Sequence, residues 1–118
     1  IIEMWNRRLE IDGYIPLINS IRNKFERYEG KVLPGTRNDL PQVPAIVRRG
    51  IESCIILFKR LNVHLRTTPY VAGEALSIAD ITGYEVVQLA IAIEMKFDEF
   101  EEVKAWHKKL DRRFKLDG

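Results

Sequence analysis

The sequence contains little that could support redox, metal or disulfide chemistry. Among its 118 residues there is a single cysteine, Cys54, which excludes an intramolecular disulfide. Its place on an apolar helical seam favours core packing over a reactive thiol. The two histidines, His64 and His107, fall on different predicted helices with no second ligand at metal-binding spacing. We therefore expect no metal site, and we expect a cytoplasmic location because the cysteine usage suits a reducing compartment.

A long hydrophobic run and a strong excess of charge of one sign are also missing. The longest uncharged apolar stretch, residues 86–93, is far shorter than the roughly 20 residues that a bilayer core requires. The net charge of +2 is too small to indicate nucleic acid by itself. Basic residues do cluster over 107–115, but acidic residues dilute them and no aromatic stacking platform interleaves with them, so a solvated helix end explains them better. We expect neither a membrane nor a nucleic-acid partner.

The sequence does contain a specific signal for a helix N-terminus at residues 73–80, Gly-Glu-Ala-Leu-Ser-Ile-Ala-Asp. Ser77 has the position of an N-cap and Asp80 follows three residues later, so each side chain can accept the other's backbone N–H in a capping box. The helix that follows is too apolar for a surface helix, since Glu85 is its only charge between Asp80 and Glu94. A hydrolase triad would also need a histidine within reach and a nucleophile elbow, and neither is present. We interpret Ser77 and Asp80 as structural.

Hydrophobic spacing predicts three further helices and no strand. The first should run from residue 1 to about 28, with a kink near residues 12–16 because Pro16 has no N–H for the carbonyl of Asp12. Residues 29–43, which contain several Gly and Pro, predict a loop. A second helix is expected over 44–66, the apolar third over 78–95, and a fourth opening with an Asp98–Glu101 capping pair. Four helices with the third in the centre make an all-α bundle.

Three stretches together resemble the all-helical C-terminal domain of bacterial, theta-like glutathione S-transferases. Pro-Tyr-Val-Ala-Gly at 69–73 and Ser-Ile-Ala-Asp-Ile-Thr at 77–82 resemble its central signature. Glu-Met-Trp-Asn-Arg-Arg-Leu-Glu at 3–10 resembles its first helix, and Val-Lys-Ala-Trp at 103–106 resembles the helix after the signature. The resemblance covers nearly the whole chain, and implies an all-α helical bundle of this type over residues 1–118.

The resemblance also implies a function. It implies the C-terminal half of a cytoplasmic, homodimeric glutathione transferase that conjugates glutathione, as co-substrate, to small electrophiles in detoxification. Because the chain opens at Ile1 as helix interior with no N-cap, we expect a thioredoxin-like domain to precede it. In this family that domain carries the catalytic residue, so we name none here. The alternative is a non-catalytic interaction module of a translation-factor or synthetase complex, which residues 3–10 resemble less.

The first helix carries the candidate substrate-binding residues. Met4, Arg8 and Asp12 repeat every four residues on one face with Trp5 beside them, a mixture that a pure core stripe would not use. By the resemblance this helix faces the N-terminal domain, lines the hydrophobic-substrate pocket and packs across the dimer axis. Arg8 is then a candidate for holding an anionic group such as a glutathione carboxylate. In the alternative interpretation Trp5 packs between domains and Arg8 pairs with Asp12.

The capping box leads to a prediction about stability. Ser77→Ala should lower the free energy of unfolding by about 1 kcal/mol, because one orphan N–H of the helix loses its acceptor. Urea denaturation measures this change. The substitution should leave any activity of the protein nearly unchanged, and a loss of activity at full stability would contradict the structural role.

Overall fold

Five α-helices make up the fold, and the computed structural model describes residues 1–35 and 37–117, with side chains to residue 115. The helices are α1 (Ile2–Leu9), α2 (Ile15–Lys24), α3 (Pro44–His64), α4 (Ile78–Ala92) and α5 (Glu101–Asp117). A π-helical turn, Glu10–Tyr14, joins α1 to α2, and a short 3-10 helix, Glu26–Tyr28, follows α2. The described ranges contain helices and loops but no strand. The all-α expectation is therefore confirmed.

The irregularity expected in the first helix occurs at the π-helical turn. Helical backbone continues from α1 through Glu10–Tyr14 into α2, with Glu10 and Ile15 both in right-handed helical conformation. Pro16 has no N–H to donate to the carbonyl of Asp12. The hydroxyl of Ser53, on α3, donates a hydrogen bond to that carbonyl oxygen instead, at 2.8 Å. The extra residue of the π-helical turn thus lies where a neighbouring helix can satisfy the freed carbonyl.

Helices α2 and α3 approach closely because Gly50 has no side chain. A Cβ atom at Gly50 would overlap the Ser20 hydroxyl oxygen and would lie 2.5 Å from the carbonyl oxygen of Pro16. The Ser20 hydroxyl donates to the same Pro16 carbonyl at 2.9 Å and lies 3.2 Å from the carbonyl oxygen of Val47. Ser20 is completely buried. A polar contact is therefore built into the packing of these two helices.

The core lies around α4, whose inward residues are small or β-branched. Ala79, Val86, Val87 and Ala90 are all fully buried. Cys54 of α3 is also fully buried, and this burial raises the pKa of its thiol to about 12, so the thiolate is strongly disfavoured. The expectation that Cys54 packs in the core is confirmed. The remaining large, fully buried side chains are Leu9, Leu17, Leu57, Phe58, Leu61, Val71, Ile93, Val103 and Leu110.

Helix α4 ends at Ala92, three residues before the predicted end. Glu94 has a positive φ of 63°, which is left-handed backbone and terminates the helix. The N–H of Met95 returns to the carbonyl of Ala90 at 2.9 Å, and the Lys24 ammonium donates to the carbonyl of Ile93 at 3.0 Å. Both bonds satisfy carbonyls at the end of α4 that have no partner within the helix.

The predicted Asp98–Glu101 cap of the last helix is wrong. The second and third N–H groups of α5, those of Glu102 and Val103, point to the side-chain oxygen of Asn62 on α3, at 2.8 and 3.2 Å. Asp98 instead forms an ion pair with Lys104 at 3.1 Å. The packing of α3 against α5 supplies an acceptor from another helix, and local spacing does not reveal such an acceptor.

The hydrogen bond from Ser53 to the Asp12 carbonyl can be tested by substitution. Ser53→Ala should lower the free energy of unfolding by about 1–2 kcal/mol, because it removes the α3 hydroxyl that donates to the Asp12 carbonyl in the π-helical turn. Thr67→Ala is the matched control, since its exposed hydroxyl makes only a 3.3 Å bond to the carbonyl of His64 and should change stability little. Urea denaturation of both variants measures the difference, and equal stabilities would contradict the role of Ser53.

Candidate functional site

The predicted substrate-binding residues of α1 differ in how much they expose. Met4 is half exposed at 50%, whereas Trp5 has only 5% of its surface exposed. Arg8, on α1, and Asp12, in the π-helical turn, are partly buried. Trp5 therefore belongs to the domain core. The side chains of the other three candidates, Met4, Arg8 and Asp12, reach the surface. Contact of these residues with a substrate stays a prediction.

Arg8 does not pair with Asp12 as the alternative interpretation proposed. Within residues 1–35 and 37–115 the ion pairs are Lys104–Asp98 and Lys115–Asp111. The guanidinium carbon of Arg8 instead lies 5.2 Å from the centroid of the Trp5 ring. This is a cation–π contact, and it leaves the hydrogen-bond donors of Arg8 free of carboxylate partners.

Trp5 is held in place by a histidine that sequence reasoning did not connect with it. The Trp5 and His64 rings have centroids 4.7 Å apart at an interplanar angle of 33°. The Nε2 atom of His64 lies 2.6 Å from the carbonyl oxygen of Val71, and since a carbonyl only accepts, Nε2 carries the proton. His64 thus joins α1 to the loop after α3. No signal in the sequence marks this contact, because the two rings are 59 positions apart in the chain.

Asp80 is the most highly connected polar side chain of the fold. It is completely buried, and Ser77 and Asp80 form the predicted capping box. One carboxylate oxygen accepts the Ser77 N–H at 2.9 Å. The other accepts the Val71 N–H and the Trp106 indole N–H, both at 2.9 Å. The cap predicted from the sequence is confirmed, and the same carboxylate also connects the preceding loop and α5.

Trp106 reaches Asp80 because α4 carries a glycine beneath its ring. A Cβ atom at Gly83 would lie 2.6 Å from the Cη2 atom of Trp106, closer than real side chains approach. The indole is 3% exposed and packs directly on the α4 backbone. Gly83 and Trp106 therefore form one contact that sets the spacing of α4 and α5.

A second polar link between α4 and α5 lies nearer the surface. The Tyr84 hydroxyl donates to Asp111 at 2.7 Å, which raises the pKa of Tyr84 to about 12 and lowers the pKa of Asp111. His107 stacks on Tyr84 with centroids 5.2 Å apart, and its Nε2 atom lies 2.8 Å from the Gln88 side-chain oxygen. Burial lowers the pKa of His107, so the neutral ring is favoured. These contacts make the cluster a structural link between the helices.

A groove of about 420 Å³ lies between α4 and the junction of α1 and α2. Tyr14, Ile15 and Ile81 form its apolar walls, and Glu10 and Glu85 place carboxylates on it. The Asn6 and Thr82 side chains hydrogen bond across the two helices beside it. The sequence contains no sign of this groove, because it depends on which faces of α1 and α4 are brought together.

Chemical groups that could hold a metal are scarce. Over the described ranges no group of three or more His, Cys, Asp or Glu side chains is arranged to bind a metal ion. In that same part of the chain, no helix combines the length and apolar character needed to cross a membrane.

Comparison with known proteins defines the class of this fold. Residues 56–113 match the family model described as glutathione S-transferase, C-terminal domain. The five-helix bundle around a capped central helix is the all-helical fold of that domain, as the sequence motifs implied. The match begins in α3 and includes the Ser77–Asp80 cap, Trp106 and the helices that they join.

One solved structure is similar over nearly the whole chain. The crystal structure of Gtt2 from Saccharomyces cerevisiae superposes with a TM-score of 0.78 and 25% sequence identity, covering 92% of this chain and 50% of that one. The chain therefore spans half the length of that protein. No curated protein matches the sequence significantly. The family model and this neighbour together support the all-helical fold of a glutathione S-transferase C-terminal domain.

The buried carboxylate can be tested by an isosteric change. Asp80→Asn should lower the free energy of unfolding by about 3 kcal/mol, because an amide NH2 replaces an oxygen that now faces N–H donors. Asp98→Asn is the matched control, since its exposed pair with Lys104 should contribute little. Chemical denaturation followed by Trp fluorescence measures both, and a similar small effect for the two variants would contradict the role assigned to Asp80.

Proposed function

We propose that this chain is the C-terminal domain of a glutathione transferase and acts with a thioredoxin-like N-terminal domain to conjugate glutathione to small electrophiles. The observation that carries the proposal is the similarity of 92% of the chain to half of Gtt2, together with the family match over 56–113. Residues 3–10 support a bacterial, theta-like form. A cytoplasmic detoxification role and a homodimer accord with this assignment.

The reaction needs a glutathione thiolate and an electrophile held against it. In the proposed enzyme the N-terminal domain binds the thiolate and lowers its pKa by hydrogen bonding, since a bond to the charged form favours that form. The sulfur then attacks the electrophilic carbon and the leaving group departs with the bonding electron pair. This chain contributes binding and orientation, which lower the barrier by holding the reactants together.

The exposed face of α1 supplies that binding in our proposal. Met4 offers an adaptable apolar contact, and Trp5, next to it in the chain, is fixed by His64. Arg8 lies over the Trp5 ring with no carboxylate partner, so its donors are available for an anionic group of glutathione. Asp12 follows Arg8 by four positions, in the π-helical turn, and is the remaining candidate contact.

Contacts with another domain or subunit would use neighbouring parts of the same helix. Ile1, Ile2 and Met4 are exposed large hydrophobic residues at one end of α1. Exposed apolar groups that lie next to each other are typical of surfaces that become covered in an assembly. We propose that they face the N-terminal domain or the second subunit.

Substitution of Arg8 tests the proposal in the full-length protein. Arg8→Ala should raise the KM for glutathione by about tenfold, the loss expected for one charge-assisted hydrogen bond. Arg7→Ala is the matched control, because Arg7 is an exposed neighbour on the same helix that makes no contact with the Trp5 ring. The assay is the conjugation of 1-chloro-2,4-dinitrobenzene at varied glutathione concentration. Equal KM values for the two variants would contradict the role of Arg8.

Two further outcomes decide about the function as a whole. Residues 1–118 alone should neither bind glutathione measurably nor conjugate it, and turnover by this part alone would contradict the division of roles between the domains. A full-length protein that neither binds glutathione nor shows turnover would replace the enzyme by the alternative, a non-catalytic interaction module.

A further inference from the structure

His64, the last residue of α3, contacts both the loop that follows α3 and the Trp5 ring of α1. Its Nε2–H donates to the carbonyl oxygen of Val71 at 2.6 Å. Its ring centroid lies 4.7 Å from that of Trp5, at an interplanar angle of 33°. A hydrogen bond at one ring atom and an aromatic neighbour together leave the imidazole little freedom to rotate.

The carbonyl group that His64 binds belongs to a residue that is itself fixed. Val71 is fully buried, and its N–H donates to the carboxylate of Asp80 at 2.9 Å. The same carboxylate oxygen accepts the indole N–H of Trp106, also at 2.9 Å. Both backbone polar groups of Val71 are therefore bonded, and His64 is anchored through Val71 to the buried capping box of α4.

The Trp5 ring that His64 contacts also lies against the guanidinium group of Arg8. The guanidinium carbon is 5.2 Å from the ring centroid. Neither of the two ion pairs in the described part of the chain includes Arg8. The orientation of the Arg8 side chain therefore depends on the Trp5 ring, and a change in the tilt of the indole would shift the guanidinium.

We propose that His64 is a positioning residue for the contact between Arg8 and glutathione. The bond to Val71 fixes the imidazole, the imidazole fixes the tilt of the Trp5 indole, and the indole orients the Arg8 guanidinium. This role rests on the proposed function, in which Arg8 binds an anionic group of glutathione. It does not depend on how much of α1 another domain covers, because His64, Trp5 and Val71 all lie within this domain.

Positioning of this kind acts on the binding of glutathione. A guanidinium that is already held in its bound orientation loses less conformational freedom when the ligand arrives. The contact between two aromatic rings is worth about threefold in an equilibrium constant, which is less than the loss of the guanidinium itself. The chemical step uses the thiolate bound by the other domain, so kcat should not depend on His64.

The test is His64→Gln in the full-length protein. The glutamine amide places an N–H donor close to the position of Nε2, so the bond to Val71 can form, but the ring against Trp5 is lost. The KM for glutathione should rise about threefold with kcat unchanged, measured by conjugation of 1-chloro-2,4-dinitrobenzene at varied glutathione concentration. His107→Gln is the matched control, because His107 also contacts an aromatic ring and a side-chain oxygen but lies between α4 and α5. Its KM should equal that of the wild type.

A double-mutant cycle separates positioning from a general loss of structure. Because His64 acts through Arg8 in this proposal, His64→Gln should hardly change the KM for glutathione when Arg8 is already alanine. A second variant, His64→Phe, keeps a ring beside Trp5 but cannot bond to Val71. It should raise the KM by less than His64→Gln does, and it tests the same role if glutamine is not tolerated. Circular dichroism checks that each variant keeps its helices.

The outcomes distinguish the role of His64 from the proposed function. A KM that rises in His64→Gln, and does not rise further in the Arg8→Ala background, supports positioning. A raised KM in Arg8→Ala together with wild-type KM values in both His64 variants would overturn the role of His64 alone. Effects that multiply in the double variant, or equal rises in His64→Gln and His107→Gln, would overturn it as well. A wild-type KM in Arg8→Ala would overturn the glutathione contact itself and the role of His64 with it.

Discussion

The buried carboxylate of Asp80 is the interaction on which the arrangement of this domain depends. A buried charge is costly unless donors surround it, and here the Ser77 N–H, the Val71 N–H and the Trp106 indole N–H all point to it at 2.9 Å. These donors belong to the start of α4, the loop before it and α5. One side chain therefore determines the start of the central helix and the positions of two neighbouring segments.

The close packing of the helices also depends on small and polar residues at the contacts between them. Gly83 lets the Trp106 ring lie on α4, and Gly50 lets α2 approach α3. Ser53 satisfies the Asp12 carbonyl that Pro16 leaves without a donor. These contacts are short and directional, so they define the register of the helices more tightly than apolar burial does. Apolar burial by itself tolerates sliding of one helix along another. The π-helical turn at Glu10–Tyr14 is stable in this setting.

This packing gives the first helical segment two chemically different faces. On one face Arg8 lies over a Trp5 ring that His64 holds in place. On the other, Glu10 and Tyr14 meet α4 and form a groove with two carboxylates and no cation. The proposed glutathione contact and this groove are thus separated by helix geometry.

The sequence by itself determined the elements that rest on local chemistry. The Ser77–Asp80 cap, the loop at 29–43, the helix periods and the interruption before Pro16 all follow from interactions between residues a few positions apart. The same short sequence motifs were specific enough to indicate the fold class. Trp5 shows the limit of this reasoning, since its position on α1 favoured a pocket and the structure places it in the core beside His64.

Only the tertiary structure decided the contacts between distant segments. Asn62 replaces Asp98 at the start of α5, Ser53 reaches Asp12, and Trp106 reaches Asp80, although each pair is separated by at least 26 positions. The groove at Tyr14 likewise exists because α1 and α4 cross where they do. Side-chain spacing encodes which residues share a helix face, but the partner of that face depends on how all the helices pack together.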